Sequence, residues 1–163
     1  MNNVTKIAFQ LSIILASASL AAAPLPKEGA VNLTSCFVGE RTLMEASKDN
    51  QFGSLTLNGL RFAPAEGTPF DASTVECVTQ YHADATDRNA TGFCVTVDAD
   101  GDKWSSDAAG INGVGKWRFI SGTGKYAGIT GGGEYKPIRK FPAMMQQGKF
   151  STCNSTTGTY KLP

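Results

Sequence analysis

The stretch from residue 117 to residue 135 constrains the fold more than any other part of the chain, because glycines interrupt it at short intervals. It reads W-R-F-I-S-G-T-G-K-Y-A-G-I-T-G-G-G-E-Y. Two apolar segments, 117–120 and 126–129, are separated by the glycine-containing turn 121–125, and a second glycine break covers 131–133. Glycine adopts the positive φ values that turns and bulges need. Short apolar runs between glycines therefore predict paired strands of a tightly curved antiparallel sheet.

The rest of the chain repeats this pattern of short apolar runs between turn residues. No segment after the first 23 residues keeps apolar residues at helical spacing, so only single helical turns are predicted, at 107–109 and 143–146. About eight to ten short strands at this spacing predict either a closed barrel or a sandwich. The barrel is favoured because it leaves no unpaired strand edge. Strands are predicted at 34–46, 54–62, 74–81, 92–97, 103–105, 117–120, 126–129, 134–136, 148–150 and 156–162.

Three details of this arrangement can be tested directly. A bulge is predicted near Gly59, where the alternation of S-L-T-L at 54–57 continues past the glycine into the end of the strand. The alanine- and glycine-rich segment 107–113 is predicted to be a loop. The basic segment 136–145, which includes Lys136, Arg139 and Lys140, is predicted to be an exposed loop. The expected fold is all-β, a single closed antiparallel β-barrel of about eight strands.

The first residues have the pattern of a secretory signal peptide. Lys6 precedes an apolar run at 7–20, and Ala21, Ala22 and Ala23 supply small residues for cleavage. The apolar run is shorter than the ~20 residues of a membrane-spanning helix. We therefore expect a signal peptide at 1–23 and an exported barrel domain at 24–163, periplasmic or secreted, with no membrane span.

The charge balance argues against a nucleic-acid partner. The full chain has 15 basic and 14 acidic residues, and loss of Lys6 with the signal would leave 14 of each. A nucleic-acid-binding surface would need a basic stripe, which the sequence does not show.

Four cysteines follow the signal segment: Cys36, Cys77, Cys94 and Cys153. An even number in an exported chain predicts two disulfides, with three possible pairings. We favour Cys77 with Cys94, which lie opposite each other if the loop between them centres on 85–86, and Cys36 with Cys153, which would join the first strand to the last. A metal site is the alternative, but there is no C-x-x-C pair and His82 is the single histidine.

The sequence S-G-T-G-K-Y-A-G-I-T-G at 121–131, with F-C-V-T-V-D-A-D-G-D-K-W upstream, resembles the allene oxide cyclase-like and dirigent-like barrel superfamily. The resemblance covers about forty residues, 93–135, and is closest to small exported bacterial members. It implies an eight-stranded antiparallel barrel with a cup-shaped cavity, and a possible homo-oligomer, since the plant members are often trimers. In plant members the cavity directs cyclisation or radical coupling of a hydrophobic intermediate. Their catalytic residues do not align with this chain position by position, so that activity does not carry over.

Aromatic residues of the central stretch are candidates for lining a ligand cup, with packing in the core as the alternative. Arg118 alternates with Trp117 and Phe119, so it faces the opposite side of its strand, and one of the two faces is the cavity. The candidate ligand-binding residues are Trp104, Trp117, Arg118, Phe119, Tyr126 and Tyr135.

Glu134 is a candidate general acid or base, because burial inside a barrel would raise the pKa of its carboxyl group. In a regular strand Tyr135 would then point outward, so the two side chains cannot both line the cavity. The alternative is a solvated Glu134 on the outer surface.

Asp98, Asp100 and Asp102 lie at alternate positions around Gly101 and could chelate calcium through oxygen ligands. The glycine and the twelfth residue do not fit the EF-hand pattern, so a hairpin turn with Asp-Gly at its tip is the favoured interpretation. No metal and no cofactor are predicted.

Three functional hypotheses follow. The first is a non-enzymatic barrel that binds a small apolar or amphipathic molecule, and it requires a cavity of ~300 Å³ or more. The second is an allene oxide cyclase-like or dirigent-like isomerase or cyclase, which requires an ionisable residue deep in an apolar cup. The third is an oligomeric scaffold or interaction protein, which predicts an interior filled by side chains.

Overall fold

The computed structural model describes residues 25–141 and 148–163 of the chain. Eight strands follow one another and pair in sequence order, and the last pairs with the first, so the sheet closes into a barrel. Every pairing is antiparallel. The all-β closed barrel is confirmed. The strands are β1 (Glu28–Ser47), β2 (Asn50–Phe62), β3 (Ser73–Ala83), β4 (Arg88–Val97), β5 (Lys103–Ile111), β6 (Val114–Gly122), β7 (Thr130–Lys140) and β8 (Lys149–Lys161).

Alternation separates the inner face of the barrel from the outer face, and it is interrupted at register shifts near the end of β1, between β5 and β6, and in β7. In β1 the buried residues Val31, Leu33, Ser35 and Phe37 alternate with residues that keep solvent exposure. Successive side chains of a strand point to opposite faces, so the buried set lies inside the barrel. Between these shifts, residues that pair directly across two strands lie on the same face, so the register identifies the inner face of each neighbouring strand.

Several strands are longer than the sequence predicts, because both edges of each strand must pair to close the barrel. β5 continues to Ile111 and pairs with β4 and β6, so residues 107–111 are strand where a loop and a helical turn were expected, and only residues 112–113 form a turn. β7 continues to Lys140, so the basic segment 136–140 belongs to a strand and not to an exposed loop. In both segments the strand propensity of the sequence is weak. Pairing with the neighbouring strands nevertheless holds them in the sheet, because it gives their backbone N–H and C=O groups hydrogen-bond partners.

Two further expectations are wrong. The predicted strand at 126–129 is replaced by a short 3-10 helix, Gly124–Tyr126, and a turn, because Gly124 and Gly128 take positive φ values of 51° and 73°. The predicted bulge at Gly59 does not occur, since the register of β2 is continuous there with β1 and with β3. The predicted helical turn at 143–146 and the signal peptide at 1–23 lie outside the described residues.

One end of the barrel is closed by a buried aromatic cluster. In an antiparallel barrel of consecutive strands, the β2–β3, β4–β5 and β6–β7 connections share one end. Phe70, from the β2–β3 loop, inserts its ring there and lies 5.3 Å from Trp104 and 5.5 Å from Tyr126, ring centre to ring centre. Its φ of 70° is a left-handed conformation that costs a non-glycine residue about 1–2 kcal/mol. Burial of the ring, which is 2% exposed, offsets that cost.

Both disulfides have the favoured pairing. Cys36 is bonded to Cys153 and Cys77 to Cys94. Each bond joins residues directly opposite in register, across β1–β8 and β3–β4 respectively. The Cys77–Cys94 bond lies on the inner face, whereas Cys36 has the outer-face parity of β1. In the part of the chain that the structure describes, no helix has the length and apolar character needed to cross a membrane.

Candidate ligand-binding cavity

The barrel encloses a cavity of about 340 Å³ above the aromatic cluster. Leu55 and Leu57 of β2, together with Phe37 of β1, supply aliphatic and aromatic surface on one side. Trp117 and Phe119 of β6 supply aromatic surface from another strand, and their rings meet edge-on with centres 4.9 Å apart. The cavity reaches Gly113 and Phe150, near the end of the barrel opposite the cluster. Most of its wall is apolar.

A row of polar side chains crosses the wall on three adjacent strands. Arg61 of β2 lies opposite Ser35 of β1, and Ser35 lies opposite Asn154 of β8. All three line the cavity. Directly opposed residues on one face of a sheet have Cβ atoms about 4.5–5.5 Å apart, so these polar groups are neighbours. The row lies toward the closed end, because Arg61 is the penultimate residue of β2 before the loop that carries Phe70.

Arg61 has no acidic partner. Its Nε is buried and has no hydrogen-bond partner. The ion pairs among residues 25–141 and 148–163 involve Arg118, Lys125 and Lys149, and none involves Arg61. The segments 1–24 and 142–147 contain no Asp or Glu, so they offer no carboxylate either. A single positive charge therefore stands at the wall of an apolar cavity.

Burial lowers the pKa of Arg61 from 12.5 to about 10, because desolvation disfavours the charged form. The guanidinium nevertheless stays protonated at neutral pH. Arg61 keeps partial exposure and lines the cavity. Ser35 is 2% exposed, and its Oγ is a second buried polar atom without a hydrogen-bond partner. Two neighbouring polar groups thus have unused bonding capacity at one place on the wall.

Of the six candidate ligand-binding residues, four line the cavity: Trp104, Trp117, Phe119 and Tyr135. Tyr126 lies in the closed-end cluster, 4.7 Å from Trp104 between ring centres, and is not among the residues lining the cavity. Arg118 lies on the outer face, where its Nη2 is 2.7 Å from Asp107 Oδ2 and its side chain is 75% exposed. Arg118 is therefore placed away from the cavity, and the face of β6 that carries Trp117 and Phe119 is the inner one.

Glu134 is exposed on the outer face of β7, and Tyr135 points inward. The two side chains therefore take opposite faces, as alternation requires, with the tyrosine inside and the carboxylate outside. Gly110 of β5 makes room for the tyrosine, since a Cβ at that position would lie 2.3 Å from Tyr135 Oη. Burial raises the pKa of Tyr135, so its hydroxyl stays protonated and acts as a hydrogen-bond donor at neutral pH.

The acidic turn at 98–102 is occupied by its own cation. Lys125 Nζ lies 2.7 Å from Asp98 Oδ2 and also contacts Asp100. Asp98 Oδ1 accepts hydrogen bonds from the backbone N–H groups of Asp100 and Asp102, at 2.9 Å and 3.0 Å. Asp102 Oδ2 accepts the backbone N–H of Lys125 at 3.0 Å. The turn is thus tied to the 3-10 helix at the closed end of the barrel, and the lysine ammonium pairs with two of the three carboxylates.

Sequence reasoning missed Arg61 and Ser35. A signal for Arg61 was present, because Leu55, Leu57 and Arg61 share one parity and the two leucines mark the inner face. The predicted bulge at Gly59 would have reversed that parity and turned Arg61 outward. For Ser35, the alternation with Leu33 and Phe37 gives the inner face, but nothing in the sequence shows that its hydroxyl lacks a partner.

The fold and the cavity define a class: a small, disulfide-bonded, closed antiparallel barrel with an apolar interior and a polar row at its closed end. The eight-stranded barrel implied by the dirigent-like resemblance is confirmed at this level. No family model matches the chain, and no curated protein does.

The solved structures that match the chain include two described as pterocarpan synthase dirigent proteins. PsPTS1 is 9% identical, with a TM-score of 0.48, over 83% of this chain and 96% of that chain. GePTS1 is 10% identical, with a TM-score of 0.47, over 84% of this chain and 93% of that chain. With TM-scores below 0.5, neither likeness assigns an activity or a binding residue to this chain. A bacterial source stays a prediction.

Proposed function

We propose that this protein is a non-enzymatic binding protein that holds one small amphipathic molecule inside its barrel. The observation that carries the proposal is the cavity of about 340 Å³, walled mainly by apolar side chains and closed at one end by Phe70. Ligand sites in proteins usually have volumes of about 300–1,000 Å³ and combine apolar walls with a few polar groups. The volume also exceeds the ~300 Å³ that the binding hypothesis requires, and it argues against a scaffold with a filled interior.

Export is part of the proposal. The two disulfides, one of them joining β1 to β8, are compatible with an oxidising compartment. We propose that residues 1–23 are removed and that residues 24–163 form the exported domain.

A neutral solvatochromic probe, N-phenyl-1-naphthylamine, tests the binding site without introducing a charge. The purified protein is expected to bind it with one probe per barrel and to blue-shift its emission, because the probe enters an apolar, water-poor cavity. Native mass spectrometry of the same protein is expected to show any retained small molecule, and it also reports whether the chain is a homo-oligomer. Absence of saturable probe binding would contradict the proposal.

Two adjacent alanines of β5 offer a matched control. Ala108 lines the cavity, whereas Ala109 is exposed on the outer face. Ala108→Phe should fill part of the cavity and weaken probe binding at least tenfold, while Ala109→Phe should leave it unchanged. Overpacking costs about 1–3 kcal/mol, so circular dichroism must first show that both variants are folded. Equal binding by the two variants would place the probe outside the barrel.

A cyclase or isomerase is the second candidate, because an ionisable residue, Arg61, lines the apolar cavity. Arg61 is a cation at neutral pH, and the raised pKa of Tyr135 keeps its hydroxyl protonated. Both groups can stabilise negative charge, but neither can accept a proton. Glu134, the carboxylate considered for that role, is exposed on the outer face. The cavity therefore supports binding better than acid–base chemistry.

A further inference from the structure

Arg61 is an unusual residue to find in the wall of an apolar cavity. An unpaired buried charge is strongly unfavourable, and buried arginines normally contact a carboxylate or other acceptors. Here the Nε has no partner, and no Asp or Glu forms an ion pair with the side chain in the described residues. The guanidinium of Arg61 therefore has no ion-pair partner among the described residues, and its Nε is left without a hydrogen bond.

The neighbouring serine completes the geometry of an anion site. Ser35 lies opposite Arg61 on β1, and its buried Oγ also lacks a partner. A guanidinium presents two parallel N–H groups that match the two oxygens of a carboxylate. A serine hydroxyl beside it can donate to a remaining lone pair. Asn154, on the other side of Ser35, can contribute its amide N–H groups to the same ligand.

The charge balance selects the head group. One buried positive charge is neutralised by one negative charge, which a carboxylate supplies at neutral pH. A phosphate monoester carries a charge near −2, so it would leave excess negative charge in an apolar cavity.

The position of Arg61 selects the orientation of the ligand. Arg61 lies toward the closed end, and the leucines at 57 and 55 follow it along β2 toward the opposite end. The six residue steps along the strand from Arg61 to Leu55 span about 20 Å. An acid group at the closed end would therefore leave an apolar tail against Phe37, Leu57 and Trp117.

We infer that the ligand is a small monocarboxylate with an apolar body, whose carboxylate pairs with Arg61 and Ser35 at the closed end of the cavity. This inference rests on the proposed binding function and gives it a ligand class.

Competition against N-phenyl-1-naphthylamine tests the inference with two matched probes, dodecanoate and dodecan-1-ol, which share an alkyl chain and differ in charge. The wild-type protein is expected to bind dodecanoate at least tenfold more tightly than dodecanol. Arg61→Met should reduce dodecanoate affinity at least tenfold and leave dodecanol affinity equal or improved. The dodecanoate affinity of Arg61→Lys should lie between those of the wild type and of Arg61→Met, because lysine keeps the charge but loses the bidentate geometry. Arg118→Met, which removes an exposed arginine, should change neither affinity.

The outcomes separate the inference from the proposed function. If N-phenyl-1-naphthylamine and dodecanol bind but dodecanoate is not preferred, the carboxylate inference is overturned and the binding function stands. If none of the three binds, both fail. Tighter binding of dodecyl phosphate than of dodecanoate would overturn the carboxylate class. The wild-type comparison of dodecanoate with dodecanol decides the question even if the Arg61→Met variant does not fold.

Discussion

Ser35 and Arg61 lie directly opposite each other on β1 and β2, both face the barrel cavity, and neither Ser35 Oγ nor Arg61 Nε has a hydrogen-bond partner. Buried polar groups in folded proteins are nearly always paired, so two adjacent exceptions indicate a place where stability was given up. Such places concentrate at functional sites. We therefore expect that changes at this pair alter both the stability of the ligand-free barrel and its affinity for a ligand.

Arg61→Met should stabilise the ligand-free protein. It removes the unpaired buried charge and keeps an apolar stem in the cavity wall, and replacing buried charges by apolar residues often adds about 1–4 kcal/mol to the free energy of unfolding. Urea denaturation measures the change. Arg118→Met is the control, and it should leave stability nearly unchanged because exposed ion pairs contribute little. A large loss of stability in Arg61→Met would show that the arginine has a structural role instead.

Phe70→Ala should destabilise the barrel by about 3–5 kcal/mol, the usual cost of truncating a buried phenylalanine. The ring of Phe70 contacts Trp104, Phe119, Tyr126 and Tyr160, with ring centres 5.1–5.8 Å away. Thermal and urea denaturation both measure the loss.

Phe93→Ala is the matched control for Phe70, because Phe93 is 62% exposed on the outer face of β4. Its truncation should change stability by no more than about 0.5 kcal/mol, as for most surface substitutions. Similar losses in the two variants would show that Phe70 does not close the end of the barrel.

The fold was largely predictable because its signals are local. Glycine breaks and alternation predict the strands, and the short loop between Cys77 and Cys94 predicts a hairpin that places them opposite each other. What alternation could not give is the extent of β5 and β7, which depends on pairing with both neighbours. The apolar run at 126–129 satisfies a strand pattern, yet positive φ values at Gly124 and Gly128 turn the chain into a 3-10 helix.

The candidate site was predictable only in part. Alternation shows that Trp117 and Arg118 take opposite faces, but only closure of the barrel shows which face is inside. The bulge predicted at Gly59 would have turned Arg61 outward, since one extra residue reverses every later side chain in a strand. Whether Arg61 and Ser35 find hydrogen-bond partners depends on side chains from three strands, so no local sequence pattern shows that they lack them.

Removal of the Cys36–Cys153 bond should lower the free energy of unfolding by about 4–5 kcal/mol. The bond joins residues 117 positions apart and so restricts the unfolded chain. Both cysteines are changed to serine, and urea denaturation is compared with the wild type. Thr34→Ala with Ser155→Ala is the control, since these residues pair two register positions away, on the same face of the same two strands. The control pair should change stability by less than about 1 kcal/mol. A comparable loss in both double variants would show that the effect comes from strand pairing rather than from the bond.

Asp98 should make stability depend on pH at the acid end. Burial alone would raise the pKa of Asp98, but hydrogen bonds from Lys125 and from Tyr126, whose hydroxyl lies 3.0 Å from Asp98 Oδ2, outweigh it and lower the pKa below 3.8. A depressed folded pKa gives stability that is present above the unfolded pKa and is lost as pH falls through the folded one. The loss is therefore expected below about pH 4.

Asp98→Asn isolates this contribution. At pH 7 the variant should be less stable than the wild type by about 1–2 kcal/mol, a value at the low end for hydrogen bonds to charged groups because Lys125 is partly exposed to solvent. Urea denaturation from pH 7 to pH 2 should show this difference shrinking below pH 4, as Asp98 of the wild type becomes protonated. Asp107→Asn, which removes an outer-face ion pair with Arg118, should show little difference at any pH. A difference between Asp98→Asn and wild type that stays constant to pH 2 would mean that the charge of Asp98 does not stabilise the closed end.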